Sequence, residues 1–289
     1  MVMSQPLVSY CLADLAYPDI QEYLRHDDLI LIPLGSCEQH GAHLPLCTDT
    51  VTAQEVARRA AEEAHVLYTP ALWCGYSPQH LREPGAGVGT ISLRPSTVEA
   101  VLYDVSRSLV HHGFSKLVIV SGHGSHAKMI DPVLRRIRGD TGALVAFYKP
   151  YAERYIGLLA GLLENPPEET PGWHASELET SQMLAYERGR LVRMDRAVST
   201  RAGKPGWLPD SFVKKDGAPD VEFRGYQYFV FPMDHDEWTP SGVIGNPFRA
   251  TAEKGEQALR RFSAHLVDAI NEFRTIDIHV HTRAWHDKV

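Results

Sequence analysis

Four apolar runs bounded by turn residues divide the first half of the chain: "LILIPLG" (29–35), "HVLYTPAL" (65–72), "KLVIVSG" (116–122) and "ALVAFY" (143–148). None alternates apolar with polar residues, which is the pattern of strands covered on both faces. Between the first two, "TVTAQEVARRAAEEA" (50–64) sets Ala53, Val56, Ala57, Ala60, Ala61 and Ala64 at helical spacing, with Thr52 and Glu55 in the form of a capping box. Ahead of the third, Val98, Val101, Leu102, Val105 and Leu109 share one helix face, with Ser96 and Glu99 as a second box and Gly113 as the stop. Strand, helix and strand in repetition predict right-handed crossovers and a mostly parallel sheet. Binding sites in such sheets form at the carboxyl ends of the strands.

The second half is less regular. A loop over 162–177 leads into a helix over 177–189, and "VEFRGYQYFVFP" (221–232) reads as a strand pair or a lid. Ala258, Leu259, Phe262, Leu266, Ile270 and Phe273 predict a last long helix over about 250 to 273. The tail "DIHVHTRAWHDKV" (277–289), with His279, His281 and His286, reads as a solvated or interface segment.

Composition narrows the function. The 289 residues, 44% hydrophobic, can bury one large core. A formal net charge of −7 lacks the basic footprint of a nucleic-acid binder. No leader pattern and no stretch of about 18 apolar residues is present, so a cytoplasmic protein without membrane attachment is expected. Cys11, Cys37, Cys47 and Cys74 form no CxxC pair, and reduced, small side chains are expected rather than a disulfide framework.

Chemistry concentrates in "GSCEQHGAHLPLCTDT" (35–50), which follows the first predicted strand. Glu38, His40 and Asp49 are ligand types for a divalent ion such as Zn²⁺, Mn²⁺ or Fe²⁺. Glu38 and His40 are two apart and can point the same way in an extended segment. Asp49, just ahead of a helix start near Thr50, could also cap it. His43 reads as a residue near the ligands or facing substrate. "SGHGSH" (121–126) places His123 on the same rim, with Ser125 and His126 beside it. "WHASELETS" (173–181) supplies Trp173, His174, Glu177 and Glu179, and helical periodicity does not choose between the two carboxylates. "CGYSPQH" (74–80) brings Ser77 and His80 to the rim. "PGAGVGT" (84–90) has no Lys-Ser/Thr pair after it and reads as a loop rather than a phosphate cradle. Trp173, Trp207, Tyr228 and Trp238 are candidate pocket walls.

"PLGSCEQHGAHLPLCTDT", "SGHGSH", "HASELETS" and "TPSGVIGNPFRATAEKG" (239–255), in this order, resemble the creatininase/formamide hydrolase family over roughly residues 25 to 260. The resemblance implies a three-layer α/β/α sandwich with a mostly parallel central sheet, in one domain spanning 1–289, with a variable insertion around 200–238 and a tail over 275–289. It implies two divalent metal ions per chain and a homo-oligomer, usually a hexamer. Glu38, His40, Asp49 and His123 match the family's ligands, Asp49 being the carboxylate that bridges the metals. The creatinine-hydrolysing branch has an acidic ligand where this chain has Ser125. Branches without it use the glutamate of "ETS", which makes Glu179 the fifth ligand. His174 matches a motif histidine to which general-acid duty is assigned, with Glu179 the second catalytic candidate. Ser121, His126 and Ser176 depart from the family pattern, which points away from creatinine itself. The expected activity is metal-dependent hydrolysis of a small cyclic amide or amide-like substrate, with His43, Ser77, His80, Ser125, His126, Trp173 and Glu177 as substrate-facing candidates. Hydrolytic carbon–carbon ring opening of a cyclic polyol diketone is the alternative, and a metal-stabilised binding protein without catalysis is a third reading.

Overall fold

The computed structural model describes residues 7–150, 157–164, 174–201, 203–214 and 220–286. Four parallel strands, β1 (Leu29–Leu34), β2 (Leu67–Tyr68), β3 (Lys116–Ser121) and β4 (Leu144–Tyr148), form one sheet in the order β2-β1-β3-β4. Strand periodicity divides the buried side chains between its faces. Leu29, Leu31, Val118 and Val120 meet α2 (Thr48–Ala64) and α6 (Ala252–Thr275) in one core. Ile30, Ile32, Leu34, Leu117 and Ile119 meet α1 (Tyr17–Tyr23), α3 (Pro95–His112) and α4 (Ile130–Thr141) in the other. Every residue of β1 and β3 is buried, so the expected three layers are present and both faces of the sheet are dry. Each such aliphatic side chain contributes about 1.5–3 kcal/mol by leaving water.

The helices follow the apolar stripes more closely than the cap signals. Ala53, Val56, Ala57, Ala60, Ala61 and Ala64 are all buried on α2. The helix nevertheless starts at Thr48, so Thr52 and Glu55 lie within it: Thr52 Oγ1 donates to the Thr48 and Asp49 carbonyls, and Glu55 pairs with Arg58. Likewise α3 is entered through Pro95 after Arg94, with no side-chain cap from Ser96. Val101 is exposed rather than on the buried face, while Gly113 ends the helix as expected. The long last helix is capped by Thr251, whose Oγ1 accepts from the Lys254 amide at 3.2 Å. The second half adds α5 (Glu177–Ala185), followed by a 3-10 turn over Tyr186–Gly189 where a longer helix is expected. A small antiparallel sheet of β5 (Phe212–Val213), β6 (Asp220–Phe223) and β7 (Tyr226–Val230) occupies the segment expected as an insertion.

The tail is not free in solvent. Arg283 donates to the Val110 and Phe114 carbonyls at the end of α3, Arg107 donates to the Ala284 carbonyl, and the His281 amide donates to the Thr141 carbonyl at the end of α4. All four cysteines are free thiols. Among the described residues no helix is long and apolar enough to cross a membrane.

Candidate metal centre

The order β2-β1-β3-β4 reverses direction between β1 and β3, and that switch point is where crevices open at the carboxyl ends of strands. The segment after β1 carries Glu38 and His40, and the segment after β3 carries His123. Gly41, at φ +64°, turns the first segment back on itself in a conformation that glycine adopts without strain. Gly122 lets the end of β3 reach the first turn of α2: a Cβ there would lie 2.0 Å from the Asp49 carbonyl oxygen. This close approach brings His123 next to Asp49, which lies inside the helix rather than ahead of it and makes no cap hydrogen bond.

Asp49 is shared between two neighbours. Its Oδ1 lies 3.1 Å from His40 Nε2, and its Oδ2 lies 3.0 Å from His123 Nδ1. His40 also faces Glu179 Oε2 at 3.6 Å, and His123 Nε2 lies 3.4 Å from Glu38 Oε2. Glu38, Asp49 and His123 therefore form one group of convergent ligand atoms, and His40, Asp49 and Glu179 form a second. All five residues are buried. Each imidazole is oriented from behind: His40 Nδ1 donates to the Glu38 carbonyl at 2.9 Å, and His123 Nε2 to the Tyr76 carbonyl at 3.0 Å. With these nitrogens tied from behind, His40 Nε2 and His123 Nδ1 are the ring atoms that face the carboxylates.

The charge pattern fits a cation. Burial opposes ionisation of Glu38, but His123, His174 and His80 outweigh it and hold the carboxyl well below its ordinary range. Burial also opposes the imidazolium of His40, but Asp49 and Glu179 raise it well above its ordinary value. For His123 the same contest, won by Glu38 and Asp49, pushes the ring up to about 9. Glu179 is shifted the other way, up, mainly by burial. His40 Nε2 and Asp49 Oδ2 are nevertheless buried without a hydrogen bond. Two carboxylate-rich groups with imidazoles and unsatisfied buried atoms fit a divalent ion better than each other.

The other candidates divide by position. His174 lies at the centre: Nε2 is 2.8 Å from Glu38 Oε1, Nδ1 is 2.5 Å from the Gly242 carbonyl, and its ring stacks on His40 at 4.3 Å. Both ring nitrogens of His174 are thus engaged. The "TPSGVIG" segment holds it there, since the Ile244 amide donates to the His174 carbonyl at 2.8 Å. His80 is beside it, with Nε2 3.5 Å from Glu38 Oε1. Ser125 is half-exposed in the turn after His123.

Four residues expected to face substrate are placed elsewhere. Ser77 is fully buried and packs behind His123, 3.2 Å from its Nε2. His126 is fully buried against Ser121 Oγ, and burial pushes it down to about 3. His43 is buried with Nε2 3.0 Å from Thr180 Oγ1. Glu177 points away from the cluster to Lys254 Nζ at 2.7 Å and accepts from the Glu164 amide. Trp173 lies outside the described residues. Of the aromatic candidates, Trp207 and Tyr228 are exposed, whereas buried Trp238 packs on His235 with ring centroids 5.4 Å apart. His235 itself and Gln79, which donates to Glu38 Oε2 at 3.2 Å, are absent from the sequence reading.

A family model described as creatinine amidohydrolase, the creatininase family, matches residues 13–270. The chain belongs to the creatininase family. Members of this family are metal-dependent hydrolases, and so is this protein. It is 30% identical over 260 residues to the creatinine amidohydrolase of Pseudomonas putida, covering 85% of this chain and 90% of that one. It is 26% identical to a 3-dehydro-scyllo-inosose hydrolase of Thermotoga maritima, over 88% of this chain and 80% of the relative. It is 32% identical to a mycofactocin precursor peptide peptidase of Mycobacterium tuberculosis, over 83% and 81%. Among solved structures, a manganese form of creatininase superposes with a TM-score of 0.71 at 28% identity, over 93% of this chain and 100% of that one. A zinc–zinc form of a creatininase variant superposes similarly, with a TM-score of 0.70 at 28% identity, over 93% and 100%.

Proposed function

We propose that this creatininase-family protein is a two-metal hydrolase that cleaves the C–N bond of a small cyclic amide or amide-like substrate. The observation that carries the reading is the division of Asp49 between His40 on one oxygen and His123 on the other. A carboxylate placed this way suits two ions side by side, one with Glu38 and His123, the other with His40 and Glu179. Such ions would supply an acidified water and polarise the substrate carbonyl. The protein's own groups do the rest. Glu38 holds His174 in place, and the Gly242 carbonyl fixes its other side. His174 then presents a proton to the leaving nitrogen. Glu179, with one oxygen tied to the Ala175 amide at 2.6 Å, is kept at the rim of the pair. Burial of the whole cluster keeps these charges unscreened.

The amide reading draws support from the creatinine amidohydrolase and peptidase relatives. The inosose hydrolase relative supports a second reading, carbon–carbon ring opening of a cyclic polyol diketone, because half-exposed Ser125 and His80 next to Glu38 suit hydroxyl groups. Elemental mass spectrometry on protein purified without tag or chelator tests the centre: about two divalent ions per chain are expected, and one or none refutes it. A product assay separates the substrates. Ammonia or an amine supports the amide; a linear keto acid without released nitrogen supports the alternative.

A further inference from the structure

We propose that His80, His174 and His235 form a further metal site, beside the Asp49-centred pair, that takes one zinc-class ion on three imidazoles. One ring nitrogen of each histidine lies within 4.8 Å of the other two. The ring centroids are 4.4 Å apart for His80 and His235, 4.9 Å for His174 and His235, and 5.3 Å for His80 and His174. The rings come from three separate places: the 3-10 turn Pro78–His80, the residue pinned against Ile244, and the 3-10 turn His235–Glu237. All three are buried, at 4%, 6% and 9% exposure.

His80 Nε2 and His235 Nδ1 are buried without a hydrogen bond. Leaving such atoms unsatisfied is costly, so two in one cluster call for a partner. An acceptor-only group such as a carboxylate would satisfy only ring N–H groups, whereas a metal ion takes the lone pair that each neutral ring also carries. His174 Nδ1 is held by the Gly242 carbonyl, as metal-bound histidines are commonly oriented, while its Nε2 faces Glu38 Oε1 at 2.8 Å, a contact that an ion on Nε2 would replace. Three imidazoles favour zinc and its neighbours over magnesium or calcium, and Glu38 Oε1, 2.8 Å from His174 Nε2 and 3.5 Å from His80 Nε2, stands next to the fourth position. Where His174 is the proton donor, as the reading above has it, an ion on Nε2 would withhold it from the reaction, so excess zinc would inhibit.

The experiment titrates the enzyme, with its resident metal in place, using Zn²⁺ alone, followed by calorimetry and by elemental analysis after gel filtration. Resident and added ions should reach about three per chain. In His80→Gln and His235→Gln the affinity for the last ion should fall by about 100-fold or more, since even outer partners of a ligand are worth about 10–100-fold. Circular dichroism and resident metal should stay unchanged. A wild-type total of two, or a third ion that binds equally well in both variants, overturns the site. Co²⁺ added to the wild-type enzyme gives a readout that needs no variant: intense visible bands of a four-coordinate ion are expected, and only the weak bands of a six-coordinate ion overturn the proposal. Resident metal below about two per chain would instead count against the Asp49-centred pair, so the two failures are distinguishable.

Discussion

Glu38, His40, Asp49 and His123 stand at the ends of strands and a helix whose side chains are buried on both faces of one sheet, whereas His174, Glu179 and His235 belong to shorter elements of the second half. The first group owes its geometry to packing: β1 pairs with β3 along six residues, and Gly122 allows the closest approach to α2. The second group owes its geometry to individual polar contacts. Ile244 and Gly242 hold His174, Ala175 holds Glu179, and Lys254 ties α5 to α6 through Glu177. A site assembled in this way has one side that fails only with the core and another that fails one hydrogen bond at a time.

Four experiments break or sharpen that contrast. The largest effect is expected from Asp49→Ala, which removes the oxygens shared by both ligand groups. Turnover should drop by at least about 10³-fold and metal content should fall, with the melting temperature showing whether the sheet is intact. A variant that retains both ions would refute the shared-carboxylate geometry.

On the other side, Lys254→Met takes the cation from the fully buried Glu177 carboxylate and leaves it the Glu164 amide. A loss of about 3–5 kcal/mol in urea unfolding is expected. Most of it should return in the double variant with Glu177→Gln, and no recovery would mean that Lys254 acts through its contacts to Glu164 and the Arg249 carbonyl instead.

His43 gives a pH signature. Burial first, then the neighbouring His40 and His174, push it down from 6.5 to about 4. The unfolded chain therefore binds the proton more readily than the folded one between those values. Its contribution is fully present above about 6.5 and is lost as the pH falls toward 4, amounting to up to about 3 kcal/mol. Chemical unfolding at a series of pH values should show this slope in the wild type and a shallower one in His43→Asn. Equal slopes would remove His43 as the source.

The smallest effect is expected at Ala175, whose φ of +53° is left-handed. Such a conformation costs an L-residue about 1–2 kcal/mol. Ala175→Gly should raise the unfolding free energy by up to about 1 kcal/mol while loosening Glu179, so that metal is lost faster to a chelator. A slower loss would show that the strain works against the ligand.

The same contrast decides how much could be read in advance. Strands and helices with continuous apolar stripes, β1, β3, α2 and α6, follow from periodicity because tertiary packing and pattern agree. In α4 the buried residues are Ile130, Val133, Ile137 and Thr141, while Pro132 lies in the first turn and Arg135, Arg136 and Arg138 are exposed, so its apolar stripe is short and narrow. The supposed caps at Thr52 and Ser96 had the right residue types, but the helices began earlier, where packing and Pro95 placed them. The ligand candidates of the first half were visible because a few residues around one turn held them together. His235 was not: it stands alone between Asp234 and Asp236, and only the fold brings His80 and His174 to it. Glu177 and Glu179 were separable only once Lys254 was seen to claim the first.

The C-terminal strap has a practical meaning. α3 and α4 run back from the carboxyl edge of the sheet, so the carbonyls that Arg283 and His281 cover lie at its amino edge, across the sheet from Glu38 and His123. His279, His281 and His286 thus sit on the floor of the molecule rather than at its mouth. An enzyme tethered to a surface through this end should leave its catalytic opening facing the solution.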